Sequence, residues 1–232
     1  MKKRCCMVMT VFCLTACMSG CAMNPYSSMT EWLNKQEDQE SLADNKGMEK
    51  TKSEEKKEKI TSDWSDLAFL FDGKKYQLPA SYEDFEENGW CVDAAEYGYK
   101  EGYTLNPGDQ TFGTICLEND KYSDDVLVKI GFINNDDEAQ ELLDCNIWCI
   151  EVDTSYGSEK LDDVPEMELA EGIGMGSSEE ETLQAFGKPE EIYEDKNDEY
   201  KTLYYRNSNT YQRMTLNISK KYGITKIQLE KY

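Results

Sequence analysis

The sequence predicts an α+β protein built from two units, each combining a short helix with an antiparallel β-sheet, after a disordered tether. Three observations predict this class. A charged segment with few large apolar residues precedes the body, the same order of helix and strands occurs twice, and strands follow one another at short, turn-marked intervals. The predicted divisions are a signal peptide at 1–16, a charged flexible tether at 17–62, a first unit at 63–160 and a second unit at 161–232.

The N-terminal segment has the features of a bacterial lipoprotein signal peptide. Three basic residues precede an uncharged, mostly apolar stretch at residues 5–16, which is shorter than the ~20 apolar residues that span a bilayer. The sequence LTAC at 14–17 resembles a lipobox, in which small residues precede the cysteine that receives the lipid. Cys17 is the preferred candidate and Cys21 the alternative, while an ordinary secretory signal is the rival interpretation. The prediction is a palmitate-type lipid anchor at the extracellular face of the cell membrane.

Residues 31–59 are predicted to be a solvated tether. They carry 9 acidic and 7 basic residues and few large apolar side chains after Leu33. Such a segment cannot bury enough apolar area to offset the entropy lost on ordering. A long charged helix is the rival interpretation.

The composition excludes several classes of function. The chain has 47 Asp and Glu residues, 25 Lys and Arg residues and no histidine, for a net charge of −22. Without histidine there is no Ser-His-Asp or Cys-His nucleophile system and no HExxH zinc site. An acidic surface repels nucleic-acid phosphates, so we expect no nucleic-acid partner. We also expect no enzymatic activity and no cofactor.

Paired carboxylates leave one enzymatic alternative open. Adjacent acids such as Asp124 with Asp125 and Glu190 with Glu191 lie in hydrophilic turns and helix starts, which favours solvated charge. A glycosidase instead needs two carboxyls facing each other across a cleft, one of them with a raised pKa. A surface hydrolase that uses acidic residues therefore stays as the alternative, beside a structural envelope protein.

Four cysteines fall in the predicted body. Cys145 and Cys149 lie in one predicted strand, about 13 Å apart at ~3.3 Å per residue, which is too far for a disulfide. Cys91 and Cys116 are isolated, so the spacing does not match the paired cysteines of a zinc site. We expect no metal, and the sequence leaves both one disulfide and free thiols open.

The first unit is predicted to open with a hairpin at 67–78 that turns at the Asp-Gly of 72–73. A helix at 81–89 follows, with serine at its start and glycine at its end. Strands are predicted at 111–117, 126–134 and 145–152, with a helical turn at 136–143.

The second unit is predicted to begin with a helix at 179–186. Ser177 or Ser178 caps this helix and a Gly-Lys-Pro sequence ends it. Leu183 and Phe186 fall on one helical face, so we expect Phe186 in the core. Strands are predicted at 200–206, 211–219 and 224–232.

The segment 172–189, GIGMGSSEEETLQAFGKP, followed by tyrosine-rich strands, resembles the helix-to-sheet unit of β-lactamase-inhibitor-protein-like domains. In those domains glycine, Glu-Glu, leucine and aromatic-Gly-x-Pro precede a small antiparallel sheet. The upstream sequences LPAS at 78–81 and FINN at 132–135 resemble uncharacterised surface lipoproteins of Gram-positive anaerobes. The resemblance implies a fold for 67–232 and a surface location, but not inhibition of β-lactamase.

The charge distribution predicts a binding surface near the C-terminus. Residues 200–232 contain seven basic residues and one acidic residue, a net of +6, although 63–232 as a whole carries 15 basic and 38 acidic residues. Strand alternation places Arg213 and Lys226, with Tyr211, on the face opposite the apolar one, and interfaces favour arginine and tyrosine. A normally solvated sheet face is the alternative interpretation. The predicted binding residues are Tyr204, Arg206, Tyr211, Arg213 and Lys226.

Together these observations predict a membrane-anchored extracellular lipoprotein that acts as a non-catalytic protein- or ligand-binding module. Its predicted partners are the membrane, through the lipid, and an envelope or secreted protein.

Overall fold

A computed structural model describes residue 60 and residues 63–122, 126–154, 164–195 and 199–232. These residues belong to one compact unit. They form two α-helices and fourteen strands, and every ladder between these strands is antiparallel. The α+β prediction is confirmed at this coarse level. The predicted signal peptide, Cys17, Cys21 and all of the predicted tether except Ile60 lie outside the described residues.

The predicted hairpin is present. Strands β1 (Ala68–Phe71) and β2 (Lys74–Gln77) pair through a turn in which Asp72 has φ 47° and Gly73 has φ 80°. Two consecutive left-handed residues are what a two-residue hairpin turn requires, and this explains the Asp-Gly sequence.

The remaining strands build a main sheet and a short two-stranded ladder, and one of them adds to the hairpin. Their bounds are β3 Ala80–Ser81, β4 Cys91–Val92, β5 Thr104–Leu105, β6 Ile115–Glu118, β7 Leu127–Ile133, β8 Gln140–Glu141, β9 Asn146–Asp153, β10 Met167–Glu168, β11 Glu191–Glu194, β12 Tyr200–Asn207, β13 Gln212–Ser219 and β14 Gly223–Lys231. The main sheet has the order β11-β12-β13-β14-β9-β7-β6-β4, and β3 also pairs with β9. β10 extends the hairpin on the side of β1, and β5 pairs with β8.

The prediction of two separate sheets is corrected by the pairing of β9 with β14. These strands come from different predicted units, yet they are neighbours from Lys226 opposite Asp153 to Glu230 opposite Cys149. Both strands contribute apolar side chains to the same core cluster, so one continuous core serves both units. The pairing also removes two sheet edges that separate sheets would leave without hydrogen-bond partners. The predicted boundary between 160 and 161 lies outside the described residues.

The two predicted helices are present. Helix α1 (Tyr82–Glu87) ends at the left-handed Gly89, but the side chain of Ser81 makes no capping hydrogen bond. Helix α2 (Glu179–Phe186) begins with a capping box between Ser178 and Glu181 and ends at Gly187.

The expectation that Phe186 belongs to the core is corrected in part, because the side chain packs against the core but is not enclosed by it. Its side chain is half-buried and meets the ring of Tyr205 edge-on, with centroids 6.0 Å apart. Phe186 lies in the last turn of α2, where it contacts both the main core and a smaller cluster that contains Ala68 and Leu70. A position at the border of two clusters leaves part of the ring exposed.

The helical turn predicted at 136–143 is wrong. Gln140–Glu141 forms β8, and only Leu142–Asp144 takes a short 3-10 turn. The buried Asn134 amide nitrogen donates to the carbonyl oxygens of Leu105 (2.8 Å) and Glu138 (2.7 Å), and this holds the segment against β5. The hydrogen bonds of this one amide side chain therefore hold the segment in a non-helical conformation, although its acidic residues suggested a helical turn.

The core lies on one face of the main sheet. The hairpin and α1 supply an aromatic group in which Tyr76 stacks on Phe85 with ring centroids 4.1 Å apart. These rings pack in one cluster with apolar side chains of β7, β9, β12, β13 and β14. The sheet members include Ile130, Ile150, Leu203, Leu216 and Leu229.

Candidate binding surface

The face of the main sheet opposite the core carries polar, charged and aromatic side chains. Successive side chains of a strand point to opposite faces, so residues that alternate with core residues lie on this side. We call this surface the outer face. It comprises Lys129 of β7, Cys149, Glu151 and Asp153 of β9, Tyr204 and Arg206 of β12, Arg213, Thr215 and Asn217 of β13, and Lys226, Gln228 and Glu230 of β14.

The structure places four of the five predicted binding residues on the outer face. Arg206 is directly opposite Arg213, Tyr204 is opposite Thr215, and Lys226 lies one strand further along. Tyr211 instead lies in the turn before β13, with φ 55° and 70% of its side chain exposed. Tyr211 therefore stands at the end of the outer face.

Several of the basic residues of this region form ion pairs, one within the C-terminal segment and others with acids of β9. Arg213 pairs with Glu230 (Nη1 to Oε2, 3.1 Å), and Lys226 pairs with Glu151 (Nζ to Oε2, 2.8 Å). Lys226 also lies 3.9 Å from Asp153. The part of the basic patch that lies on the outer face is thus held in ion pairs, and β9 supplies the acids beside Lys226.

A strand that the sequence did not predict neutralises Arg206. Its guanidinium lies 3.9 Å from Glu190 and 3.8 Å from Glu191 of β11. The Cζ atom of Arg206 lies 5.9 Å from the centroid of the Tyr204 ring. The acidic residues at 190–191 suggest a solvated turn, so only the pairing with β12 reveals β11.

Glu151 is the centre of the ion-pair network. It is 8% exposed and accepts hydrogen bonds from Lys226 and from Lys129 (3.1 Å). Burial alone would raise the pKa of Glu151, but the two ammonium groups outweigh it and hold the pKa below its usual value. A carboxylate held in the ionised form does not suit the role of proton donor that a glycosidase needs. The geometry therefore favours a fixed network over a catalytic acid.

Aromatic side chains that the sequence did not identify extend the outer face. The rings of Trp148 and Tyr232 lie 4.9 Å apart, and the Arg213 Cζ atom lies 5.5 Å from the Tyr232 centroid. The Tyr232 hydroxyl donates to Glu230 at 2.9 Å. A Cβ atom on Gly131 would lie 2.6 Å from the indole nitrogen of Trp148, so the sheet has room for this indole only beside glycine. A glycine within a predicted strand was the available signal for this close approach.

A cleft of about 680 Å³ lies at the start of α2. Lys201 bridges its walls, with Nζ 2.9 Å from Glu179 and 3.2 Å from Glu194. These side chains thus satisfy one another within the cleft.

The cysteine state left open by the sequence is now defined. The four described cysteines, Cys91, Cys116, Cys145 and Cys149, are reduced thiols. Burial raises the pKa of Cys145 to about 11, and burial also raises the pKa of Cys149. A thiol with a raised pKa is a poor nucleophile at neutral pH.

No family model, curated protein or solved structure matches this chain. Within the ranges that the structure describes, no group of three or more acidic or cysteine side chains is placed to hold a metal ion. No helix formed by those same residues has the length and apolar character needed to cross a bilayer. A proposal of function therefore relies mainly on the geometry of the outer face.

Proposed function

We propose that the protein is a membrane-anchored extracellular lipoprotein whose folded body is a non-catalytic module that binds an envelope or secreted protein. The observation that carries the binding proposal is the outer face itself. It presents Tyr204 and Arg206 on β12, Arg213 on β13 and Tyr232 directly after β14. Ion pairs hold Arg206, Arg213 and the neighbouring Lys226 in place. The anchoring proposal is supported by the basic start, the short apolar stretch and the LTAC sequence.

Fixed side chains favour binding because little conformational freedom is lost when a partner docks. Arg213 is held between Glu230 and the Tyr232 ring, and Tyr204 lies beside Arg206. Arginine and tyrosine are also the residues most often found at the energetic centre of protein interfaces. Because the outer face is nearly charge-balanced, we expect its contacts to depend on shape and hydrogen bonds more than on net charge.

The binding proposal is tested by comparing capture of one partner by matched variants of the full chain. The partner is first identified by cross-linking to the wild-type protein on cells. Replacing Tyr211 with alanine and Arg206 with glutamine should weaken its binding at least about ten-fold, since both side chains are accessible. Arg213 is not chosen, because its loss would leave the buried Glu230 without its ion-pair partner.

The control variant carries Tyr103→Ala and Lys75→Gln, which likewise remove one tyrosine ring and one positive charge, at exposed positions outside the outer face. It should bind the partner as the wild type does. Equal binding by both variants and the wild type would exclude the outer face as the binding surface.

The anchoring proposal is tested by growing cells with a fatty-acid analogue. The wild type should incorporate the label, and a variant with Cys17→Ser and Cys21→Ser should lose it, because the thioether-linked lipid needs one of these thiols. Cys91→Ser should retain the label. A wild-type protein that is secreted without label would contradict the proposal.

We further propose that residues 161–232 form a unit like those of β-lactamase-inhibitor-protein-like domains. The order of α2 followed by the β12–β14 meander supports this interpretation. In this interpretation, β14 of this unit pairs with β9 of the preceding unit, so the strands of both units form one sheet.

A further inference from the structure

Strand β11 forms one edge of the main sheet and is exposed along its whole length. All four of its residues are accessible, including Ile192 at 44% and Tyr193 at 62% exposure. Within the described ranges, β11 pairs with β12 alone. An exposed edge with apolar side chains is a template for another strand.

The backbone of β11 has a defined outward side. The Asp195 N–H donates to the Tyr200 carbonyl oxygen at 3.1 Å, so Asp195 faces β12. In an antiparallel ladder, successive residues direct their N–H and C=O groups to opposite sides of the strand. Ile192 and Glu194 therefore direct their backbone groups away from β12, toward the open edge.

The side chains of β11 continue both faces of the sheet. Ile192 is opposite the core residue Leu203, whereas Tyr193 is opposite Thr202 on the other face. An added strand would thus cover Ile192 with one set of its side chains and Tyr193 with the alternate set. This arrangement gives an incoming peptide both hydrogen bonds and apolar contacts.

The charge of this edge indicates what kind of strand it accepts. Two of the four residues of β11 are glutamates, and Glu190 and Asp195 flank the strand. Within the described ranges these four acids have two cationic partners, Arg206 and Lys201, so the edge keeps a net negative charge. If two copies paired antiparallel about Tyr193, with Ile192 opposite Glu194, Glu191 of one copy would lie opposite Asp195 of the other, and like charges in that position are destabilising. Two bodies with 38 acidic and 15 basic residues each would also repel. A second copy of this chain is therefore disfavoured, and a basic segment is favoured.

We propose that β11 binds an extended peptide segment with lysine or arginine at alternate positions, by strand addition to the open edge. The inference rests on the proposed role as a binding module and names a partner chemistry for it, but it uses the sheet edge and does not require the outer face.

The test uses the full chain and a short synthetic peptide of alternating lysine and valine with blocked ends. Amide exchange is measured by NMR with and without the peptide. The amides of Ile192 and Glu194 should exchange at least about ten-fold more slowly when the peptide is bound, because they gain hydrogen-bond acceptors. The amides of Glu191 and Tyr193 should change little, since they already face β12.

The matched variants are Ile192→Pro and Ile192→Ala. Proline removes an N–H that faces solvent, at a position where an edge strand tolerates it, and it should weaken peptide binding at least about ten-fold. Alanine keeps the N–H and should weaken binding by less than about three-fold. The same peptide with alternate backbone nitrogens methylated should bind the wild type at least about ten-fold more weakly, and this comparison holds even if the proline variant fails to fold.

Equal binding of the methylated and unmethylated peptides, or unchanged exchange at Ile192 and Glu194, would overturn the proposal. The glutamates of β11 would then serve to keep the edge unpaired. The Tyr211→Ala variant separates the two surfaces, because it should bind the peptide as the wild type does. If Tyr211→Ala weakened peptide binding and the Ile192 variants did not, the peptide would bind at the outer face. That result would contradict the edge proposal but not the binding role of the module.

Discussion

Replacing Gly223 with alanine is expected to lower the free energy of unfolding by about 3 kcal/mol, through backbone strain and overpacking together. Gly223 has φ 72°, and a Cβ atom there would lie 2.2 Å from the carbonyl oxygen of Gly176. The loop before α2 docks at this point, with Gly176 N–H donating to Ile224 and Ile224 N–H donating to Ser177, both at 2.8 Å. Alanine would push this loop away from the sheet.

Gly108→Ala is the matched control for this effect. Gly108 also has a positive φ, 77°, but no atom lies within 4 Å of the position its Cβ would take. It should lose about 1 kcal/mol, from backbone strain alone. Both variants are compared by urea unfolding. Similar losses in the two variants would show that the contact with Gly176 does not restrict position 223.

Replacing Lys226 with methionine is expected to lower the free energy of unfolding by about 2–3 kcal/mol at neutral pH. The side chain of Lys226 is 19% exposed, and those of Glu151 and Asp153 are 10% and 7% exposed. Methionine keeps most of the packing but removes the ammonium group that compensates these carboxylates. Lys75→Met, at an exposed position, should change the stability by less than about 0.5 kcal/mol.

The effect of Lys226→Met should depend on pH. The pKa of Glu151 is lowered in the folded protein, so its ion pairs stabilise the fold above the unfolded pKa of about 4.3. This contribution is lost as pH falls through the lower, folded pKa. The difference between wild type and variant should therefore be full at neutral pH and shrink in acid, as followed by urea unfolding at both conditions. A difference that stayed constant with pH would contradict the role of the ion pairs.

The sequence correctly predicted those elements whose structure depends on residues close together in the chain. The Asp-Gly turn at 72–73, the capping box at Ser178 and the glycine that ends α2 are all readable within a few residues. The alternation in β13 and β14 likewise gave their apolar face, because a strand's period is a local property.

The sheet order could not be predicted in the same way. The pairing of β9 with β14 joins residues more than 70 positions apart in the chain, and no local pattern encodes that register. Each strand alternates apolar and polar residues, so several neighbours would bury its apolar side equally well. The two repeated units consequently suggested two sheets where the fold has one.

The same limit applies to the candidate binding surface. The excess of basic residues near the C-terminus is visible in the sequence, and four of the five predicted residues do share the outer face. The acidic partners of Lys226 and Arg206, Glu151 and Glu191, come from β9 and β11, so this part of the charge balance follows from topology. β11 itself was missed because its four residues are all exposed and carry no buried alternation.

Hydroxyl-radical footprinting of tyrosines on intact cells tests the binding surface most directly. Oxidation of Tyr211, which is 70% exposed, is compared between the anchored protein on cells and the purified full chain, with Tyr103 at 42% exposure as the internal reference. If the outer face is occupied by a partner, labelling of Tyr211 relative to Tyr103 should fall at least about three-fold on cells, because interface side chains are screened from solvent. An unchanged ratio of Tyr211 to Tyr103 labelling would show that the outer face is as open on the cell as it is in the isolated protein, and would contradict a binding role for it.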